Sequence, residues 1–179
     1  MAEKKIIIVV PQQGFYDRQY EVCRRSWELH GHKVSVASLT GVARGEAGTA
    51  IPVDITIKDV KSYDYDAMVF LGREGASLLF DDESARKLAK DAKYKLTAAS
   101  GKAVIFLSLA DAIEDKKVAG PPESVGWLLK RKAQYTGEPI KVDDKLITPQ
   151  DPGMWQERLT LCLLHWRNKI KEAGYGQSR

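Results

Sequence analysis

The chain has 179 residues and a formal net charge of +4 at pH 7, with 44% hydrophobic and 29% charged residues. These values fit one globular domain of 20.0 kDa and exclude a largely disordered chain. The apolar runs are far shorter than the roughly 20 residues of a membrane-spanning helix, and the basic clusters are interspersed with acids, so we expect neither a membrane nor a nucleic acid as partner.

The first third of the chain predicts two buried strands with a helix between them. Residues 5–10 are a continuous apolar and β-branched run, and residues 33–37 follow a glycine that would close a helix. Residues 17–30 place an apolar stripe at intervals of three or four residues, which is typical of a helix packed on a sheet. The stripe comprises Tyr20, Cys23, Trp27 and His30.

The middle of the chain predicts a loop, two strands and a helix. Residues 41–50 contain three glycines and predict a loop, whereas residues 51–57 alternate as an edge strand or hairpin arm does. Residues 66–71 predict another buried strand. Residues 82–98 predict a helix, since acids stand in its first turn and lysines follow.

The apolar run at residues 103–107 predicts a central buried strand that ends in a sharp turn at Ser108. A short helix follows, and residues 139–142 and 145–148 then predict a small hairpin. Residues 154–173 predict a long helix whose apolar face closes the core. We therefore expect one domain over residues 1–173 and a frayed tail at residues 174–179.

The alternation of strands and helices predicts an α/β fold with a mostly parallel sheet covered by helices on both faces. The two cysteines, Cys23 and Cys162, stand among apolar residues at helical spacing, so both are predicted to be packing residues of a reduced, cytoplasmic protein. They show no metal-ligand spacing, and nothing in the sequence predicts a metal or another cofactor.

Five short segments carry a family resemblance, namely residues 14–17, 31–38, 63–76, 101–104 and 142–153. In this order along the chain they resemble the DJ-1/PfpI superfamily, which groups intracellular proteases, deglycases and chaperones. The resemblance implies a single-domain three-layer α/β/α sandwich of the flavodoxin-like, class I glutamine amidotransferase-like kind. It also implies a homodimer.

Active members of this family carry a cysteine at the sharp turn after the central strand and a glutamate near the start of the first helix. By the resemblance, Ser108 stands at the cysteine position, Leu109 follows it, and Tyr16 stands at the glutamate position. Gln19 is the other polar side chain that can reach the same place. Serine needs a positioned base, and neither a phenol nor an amide accepts a proton at neutral pH, so we expect a catalytically silent member.

A silent member keeps a site at the carboxyl ends of the strands, where open α/β sheets bind ligands. Backbone N–H groups of Gly72 and Leu109 would form an anion-binding nest in this site. Its two arginines, Arg18 and Arg73, either add positive charge or are solvated. We expect a residual pocket for a small anionic ligand, or a surface for a protein partner. The predicted ligand-binding residues are Tyr16, Arg18, Gln19, Gly72, Arg73, Ser108 and Leu109.

The alternative is a serine-dependent hydrolase or amidase in which Ser108 attacks a carbonyl group. Its base would be Asp111 or Glu74. The histidines are poor candidates for this base, because they are expected at the far side or the edge of the sheet. They are His30, His32 and His165.

Overall fold

A computed structural model describes residues 3–150 of the chain. Within this range the strands are β1 (Lys5–Val9), β2 (Gln13–Phe15), β3 (Lys33–Ser38), β4 (Val42–Gly45), β5 (Ala50–Pro52), β6 (Ile55–Thr56), β7 (Ala67–Leu71), β8 (Leu96–Ser100), β9 (Lys117–Val118), β10 (Gln134–Tyr135), β11 (Ile140–Asp143) and β12 (Leu146–Pro149). The α-helices are α1 (Asp17–Leu29), α2 (Glu83–Lys90), α3 (Ala103–Leu109) and α4 (Val125–Lys130).

Seven of these strands form the central sheet, in the spatial order β11-β12-β8-β7-β1-β3-β6. Neighbouring strands are parallel except β11 and β12, which form an antiparallel hairpin at one edge. Val69 of β7 stands beside Ile8 of β1 on one side and Ala98 of β8 on the other. The predicted α/β fold with a mostly parallel sheet is therefore confirmed. Two smaller sheets, β2-β4-β5 and β9-β10, lie outside it.

Helices cover both faces of the sheet because successive residues of a strand point to opposite sides. Ile6 and Ile8 of β1 pack in one apolar cluster with the buried side chains of α1, whereas Ile7 and Val9 pack in a second cluster with α2 and α3. The buried apolar side chains of α1 are Tyr20, Cys23 and Trp27. This arrangement is the predicted three-layer α/β/α sandwich.

Most predicted elements of the first half are confirmed to within two residues, including β1, α1, β3 and β7, and so is the β11–β12 hairpin. The predicted loop at residues 41–50 is wrong in part, because β4 lies inside it and pairs antiparallel with β5. Residues 51–57 contain two strands rather than one. Val53 and Asp54 separate the two strands, and the carboxylate of Asp54 accepts a hydrogen bond of 2.8 Å from the backbone N–H of Val36.

The predicted helix at residues 82–98 is correct only in its first half. α2 ends at Lys90, residues 91–94 form a 3-10 turn, and the central strand β8 follows. Leucine and alanine favour a helix here on intrinsic propensity. All five residues of β8 are buried between β7 and β12, however, and this packing overrides the propensity.

The predicted strand at residues 103–107 is wrong, since these residues belong to α3. The helix packs on β8, α2 and α4, and its residues from Ala103 to Ser108 are all buried. A helix surrounded by protein is apolar on all sides, so a five-residue apolar run cannot distinguish it from a buried strand. Ser108 consequently lies in a helix and not at the end of a strand.

The predicted helix at residues 154–173 and the tail at residues 174–179 lie outside the described residues, as do Cys162 and His165. The same holds for the predicted domain boundary at residue 173. Between residues 3 and 150, no helix is both long enough and apolar enough to cross a membrane.

Truncation of Phe106 tests the burial of α3. Its ring is 1% exposed and contacts the rings of Phe70 and Phe80. Phe106→Ala is therefore expected to lower the free energy of unfolding by about 3–5 kcal/mol. The control Tyr94→Ala removes a ring that is 69% exposed and is expected to change it by less than about 0.5 kcal/mol. Urea denaturation measures both, and equal effects would contradict the buried placement of α3.

Candidate functional site

The carboxyl ends of β1, β7 and β8 meet at one edge of the sheet, because these strands are parallel neighbours. From this edge the chain leads from β1 through β2 into α1, and from β8 into α3. Open α/β sheets bind their ligands at such an edge. We call the group of side chains found here the Ser100 site. It consists of Tyr16, Gln19, Arg73, Ser100 and Lys102.

A buried polar pair, Ser100 and Gln19, lies at the centre of the Ser100 site. Oγ of Ser100, the last residue of β8, donates a hydrogen bond of 3.0 Å to Oε1 of Gln19, near the start of α1. The two residues are 0% and 1% exposed. Nε2 of Gln19 is also buried and has no acceptor among the described residues. The pair is neutral, and both N–H donors of the Gln19 amide lack an acceptor among the described residues.

The turn after β8 has the backbone geometry of a strand-to-helix elbow. Gly101 has a φ of +55°, in the left-handed region that favours glycine. This conformation lets the chain enter α3 directly after β8. Of the three residues Ser100, Gly101 and Lys102, none carries a thiol and only the first carries a hydroxyl.

The turn after β7 packs closely against its neighbours. A Cβ on Gly72 would lie 2.6 Å from the Cβ of Ala76, and a Cβ on Gly75 would lie 1.8 Å from the carbonyl oxygen of Gln13. Side chains at these two positions are therefore excluded unless the backbone moves. The turn therefore packs directly against the backbone of β2, beside the Ser100 site.

Two ion pairs lie at the rim of the Ser100 site. Nη1 of Arg73 is 2.7 Å from Oε2 of Glu46, and its guanidinium carbon lies 4.6 Å from the centre of the Tyr16 ring. Nζ of Lys102 is 2.5 Å from Oε2 of Glu74, so this pair joins the turn after β7 to the turn after β8. Both pairs are partly exposed, and each contributes at most about 1 kcal/mol.

A buried carboxylate, Asp17, holds the loop that carries Glu46. Its two oxygens accept hydrogen bonds from the backbone N–H of Ala47 at 2.9 Å and of Thr49 at 3.2 Å. Burial raises the pKa of Asp17, but the hydrogen bonds outweigh burial, and the pKa is lowered overall. Gly45 leaves space for this carboxylate, since a Cβ there would lie 2.0 Å from Oδ1 of Asp17.

The structure brings four of the predicted ligand-binding residues to this edge of the sheet and not the others. The four are Tyr16, Gln19, Gly72 and Arg73. Arg18 is exposed on α1 and makes no hydrogen bond or ion pair with another described residue. The sequence left open whether Arg18 adds charge to the site or is solvated, and its exposed side chain agrees with the solvated state.

The predicted placement of Ser108 at a strand-ending turn is wrong, because it lies within α3. Its Oγ donates a hydrogen bond of 2.7 Å to the carbonyl oxygen of Ile105 in the same helix. Leu109 ends α3 and packs against the core instead of lining a turn beside Gly72. Asp111, one of the two predicted bases, pairs with Arg131 at 3.2 Å.

Sequence reasoning missed Ser100 and Gly101, since both followed a segment taken for a helix. A usable signal was present, because Ser100 and Gly101 separate the small residues of β8 from the apolar run of α3. Glycine between two buried elements marks a turn that needs a positive φ. If a turn is placed at Gly101, residues 103–107 belong to the element after the turn, which is the helix α3.

The two described histidines lie at the opposite edge of the sheet, as expected. Nδ1 of His30 is 2.7 Å from the carbonyl oxygen of Ser26, and Nδ1 of His32 accepts a hydrogen bond of 3.3 Å from the N–H of Lys4. His30 is exposed, so its assignment to the apolar stripe of α1 is wrong. Cys23 is a packing residue as predicted, and burial raises the pKa of its thiol to about 12.

The mostly parallel sheet and its elbow into α3 define the class of the protein as a flavodoxin-like α/β sandwich. The DJ-1/PfpI family model matches residues 4–161, so the chain belongs to the DJ-1/PfpI family. The family resemblance identified from the sequence is thereby confirmed.

Relatives and solved structures agree with this membership. The uncharacterized protein MJ0967 of Methanocaldococcus jannaschii is 31% identical over 158 residues, which are 85% of this chain and 77% of that protein. The ThiJ/PfpI domain protein of Brachyspira murdochii superposes with a TM-score of 0.85 at 24% identity, over 94% of this chain and 99% of that one. Drosophila melanogaster DJ-1beta has a TM-score of 0.81 at 20% identity, over 98% of this chain and 97% of that one. The two structural likenesses concern the fold.

Neutralising Asp17 tests the loop attachment. Because its pKa is lowered in the folded state, its charge contributes stability above an unfolded pKa of roughly 3.9, and this is lost as the pH falls through the lower folded value. Asp17→Asn is expected to lower the free energy of unfolding at pH 7 by about 1–3 kcal/mol, and by less at pH 3. Urea titrations at both pH values measure this. The control Asp81→Asn, at a fully exposed carboxylate, should change it little, and a pH-independent loss at position 17 would contradict the assignment.

Proposed function

We propose that this chain is a catalytically silent member of the DJ-1/PfpI family, and that the Ser100 site binds a small anionic ligand. The observation that supports both parts is the buried Ser100–Gln19 pair. Its hydroxyl is engaged with an amide oxygen, and its amide nitrogen has no acceptor among the described residues. The engaged hydroxyl supports the absence of a nucleophile, and the amide nitrogen without an acceptor supports the binding of a ligand.

The silence follows from the proton chemistry of the pair. A serine hydroxyl attacks a carbonyl only if a positioned base takes its proton, a contribution of about 10²–10⁴-fold to the rate. The group that Ser100 contacts is the amide of Gln19, which does not accept a proton at neutral pH. A thiol at this turn would ionise far more readily, since free cysteine has a pKa of about 8.5. Neither Ser100 nor Gly101 supplies one.

The hydrolase alternative loses its support at both of its parts. Ser108, its proposed nucleophile, is buried in α3 and bonded to a backbone carbonyl. Glu74, its second proposed base, is mostly exposed and pairs with Lys102. No hydrogen bond joins either proposed base to this serine among the described residues.

The binding role follows from the unused amide donor. A buried N–H without an acceptor costs about 1–3 kcal/mol, which an oxygen of a ligand or of water can recover. Gln12, which follows β1 at the same edge, likewise has a buried Oε1 without a donor among the described residues. Arg73 and Lys102 stand at the rim, each paired with a glutamate, and both carry further N–H donors that a carboxylate oxygen can share, so a carboxylate is the favoured ligand. A homodimer, a cytoplasmic location and a protein-interaction role stay predictions.

Labelling with a fluorophosphonate probe tests the silence. We expect no stoichiometric labelling of the wild type, because the partner of Ser100 among residues 3–150 is an amide and not a base. Ser100→Ala and Ser108→Ala form a matched pair of variants, since both remove a buried hydroxyl. Labelling of the wild type and of Ser108→Ala, but not of Ser100→Ala, would contradict the proposal and assign a nucleophile to β8.

Titration with acetate tests the ligand. The side-chain amide of Gln19 gives its own signals in a ¹⁵N–¹H spectrum, and we expect these to shift saturably as Nε2 gains an acceptor. The exposed side-chain amide of Gln134 is the internal control and should not shift beyond the effect of added salt. Equal, non-saturating changes at both side chains would overturn the ligand-binding part while leaving the silence of Ser100 in place.

A further inference from the structure

A cavity lies at the amino ends of β8 and β12, at the opposite end of β8 from Ser100. Its volume is about 20 Å³. Three large apolar side chains form its floor, namely Leu107 of α3, Ile113, which follows α3, and Leu146 of β12, and all three are buried. The floor is thus hydrophobic and belongs to the main core.

Four lysines and one aspartate are among the residues that line this cavity: Lys93, Lys95, Lys116 and Lys145, with Asp144. The aspartate lies 3.9 Å from Lys116, which is a loose ion pair. No carboxylate among residues 3–150 pairs with the other three lysines. The lining therefore carries an excess of positive charge.

One of the four ammonium groups is held in position. Nζ of Lys95 donates a hydrogen bond of 3.0 Å to the carbonyl oxygen of Tyr65, and its side chain is partly buried. The neighbouring backbone is fixed as well, since the N–H of Thr97 donates a hydrogen bond of 2.8 Å to the carbonyl oxygen of Lys145. This bond joins the segment that carries Lys93 and Lys95 to the segment that carries Lys145. A lining with more lysines than carboxylates, next to an apolar floor, is complementary to an anion with a hydrocarbon end.

We propose that this cavity, here called the lysine cavity, binds a short-chain aliphatic carboxylate such as butyrate. The carboxylate lies among the ammonium groups at the mouth, and the methyl end enters the space above Leu107, Ile113 and Leu146. The small volume limits the buried part to one or two carbon atoms. An inorganic anion would satisfy the charges and leave the apolar floor uncovered, whereas an alcohol would do the reverse.

The lysine cavity is separate from the Ser100 site. Thr97 is the residue of β8 that lines the cavity, and it precedes Ser100 by three residues, a distance of roughly 10 Å along an extended strand. Neither site shares a side chain with the other. The two binding proposals consequently stand or fall independently.

A titration with sodium butyrate at constant ionic strength tests the proposal, followed residue by residue in ¹⁵N–¹H spectra of the full chain. We expect saturable shifts of the backbone amides at residues 95–97 and 144–146. Inorganic phosphate and n-butanol, which each lack one half of the proposed ligand, are expected to bind at least about fivefold more weakly. Shifts that do not saturate, or phosphate binding as tightly as butyrate, would overturn the proposal.

Paired charge variants locate the binding. Lys93→Gln/Lys145→Gln removes two exposed lysines of the cavity, and we expect butyrate to bind about fivefold more weakly. The control Lys87→Gln/Lys90→Gln removes two exposed lysines of α2, changes the net charge equally, and should leave the affinity within about twofold. Equal weakening in both double variants would assign the binding to net charge alone and overturn the lysine cavity as its place.

Discussion

The burial of β8 between β7 and β12 is the constraint on which the rest of the site depends. Because β8 is parallel to β7, its last residue reaches the same edge as the start of α1, and Ser100 meets Gln19 there. Side chains alternate along a strand, so a shift of one residue in the pairing of β8 would turn the serine to the other face of the sheet. On the face of the sheet that α2 and α3 cover, the small side chain of Ala99 in β8 leaves space for α3.

Charge is distributed in the Ser100 site according to depth. The buried centre is neutral, while the ionised groups stand at the partly exposed rim and are paired. This arrangement avoids the cost of an unpaired charge in a dry interior. It also makes the two central residues mutually consistent, since a carboxylate at residue 19 would require a buried cation or proton that a serine does not provide. The hydroxyl and the amide are thus best understood as one unit.

The sequence predicted the architecture well and the centre of the site poorly, for a physical reason. Long β-branched runs such as β1 and the amphipathic stripe of α1 have distinct periods, and both were identified. β8 and α3 are buried on every side, so neither shows a period that separates strand from helix. Their exchanged assignments placed the predicted sharp turn at Ser108, whereas the structure has a turn at Gly101, directly after β8. Gln19 was found because α1 was placed correctly, whereas its partner could not be.

The contact of Gly75 with β2 restricts how this part of the protein can diverge. A Cβ at Gly14 would lie 3.1 Å from the backbone of Gly75, so the glycines face each other from both sides of the contact. A side chain at Gly75 must displace β2, and with it the pairing of β2 to β4, whereas one at Gly14 is disfavoured by its φ of +81°. Divergence at this contact is therefore expected to involve the connecting segments together with the two glycines, because a single substitution at Gly75 meets the backbone of β2.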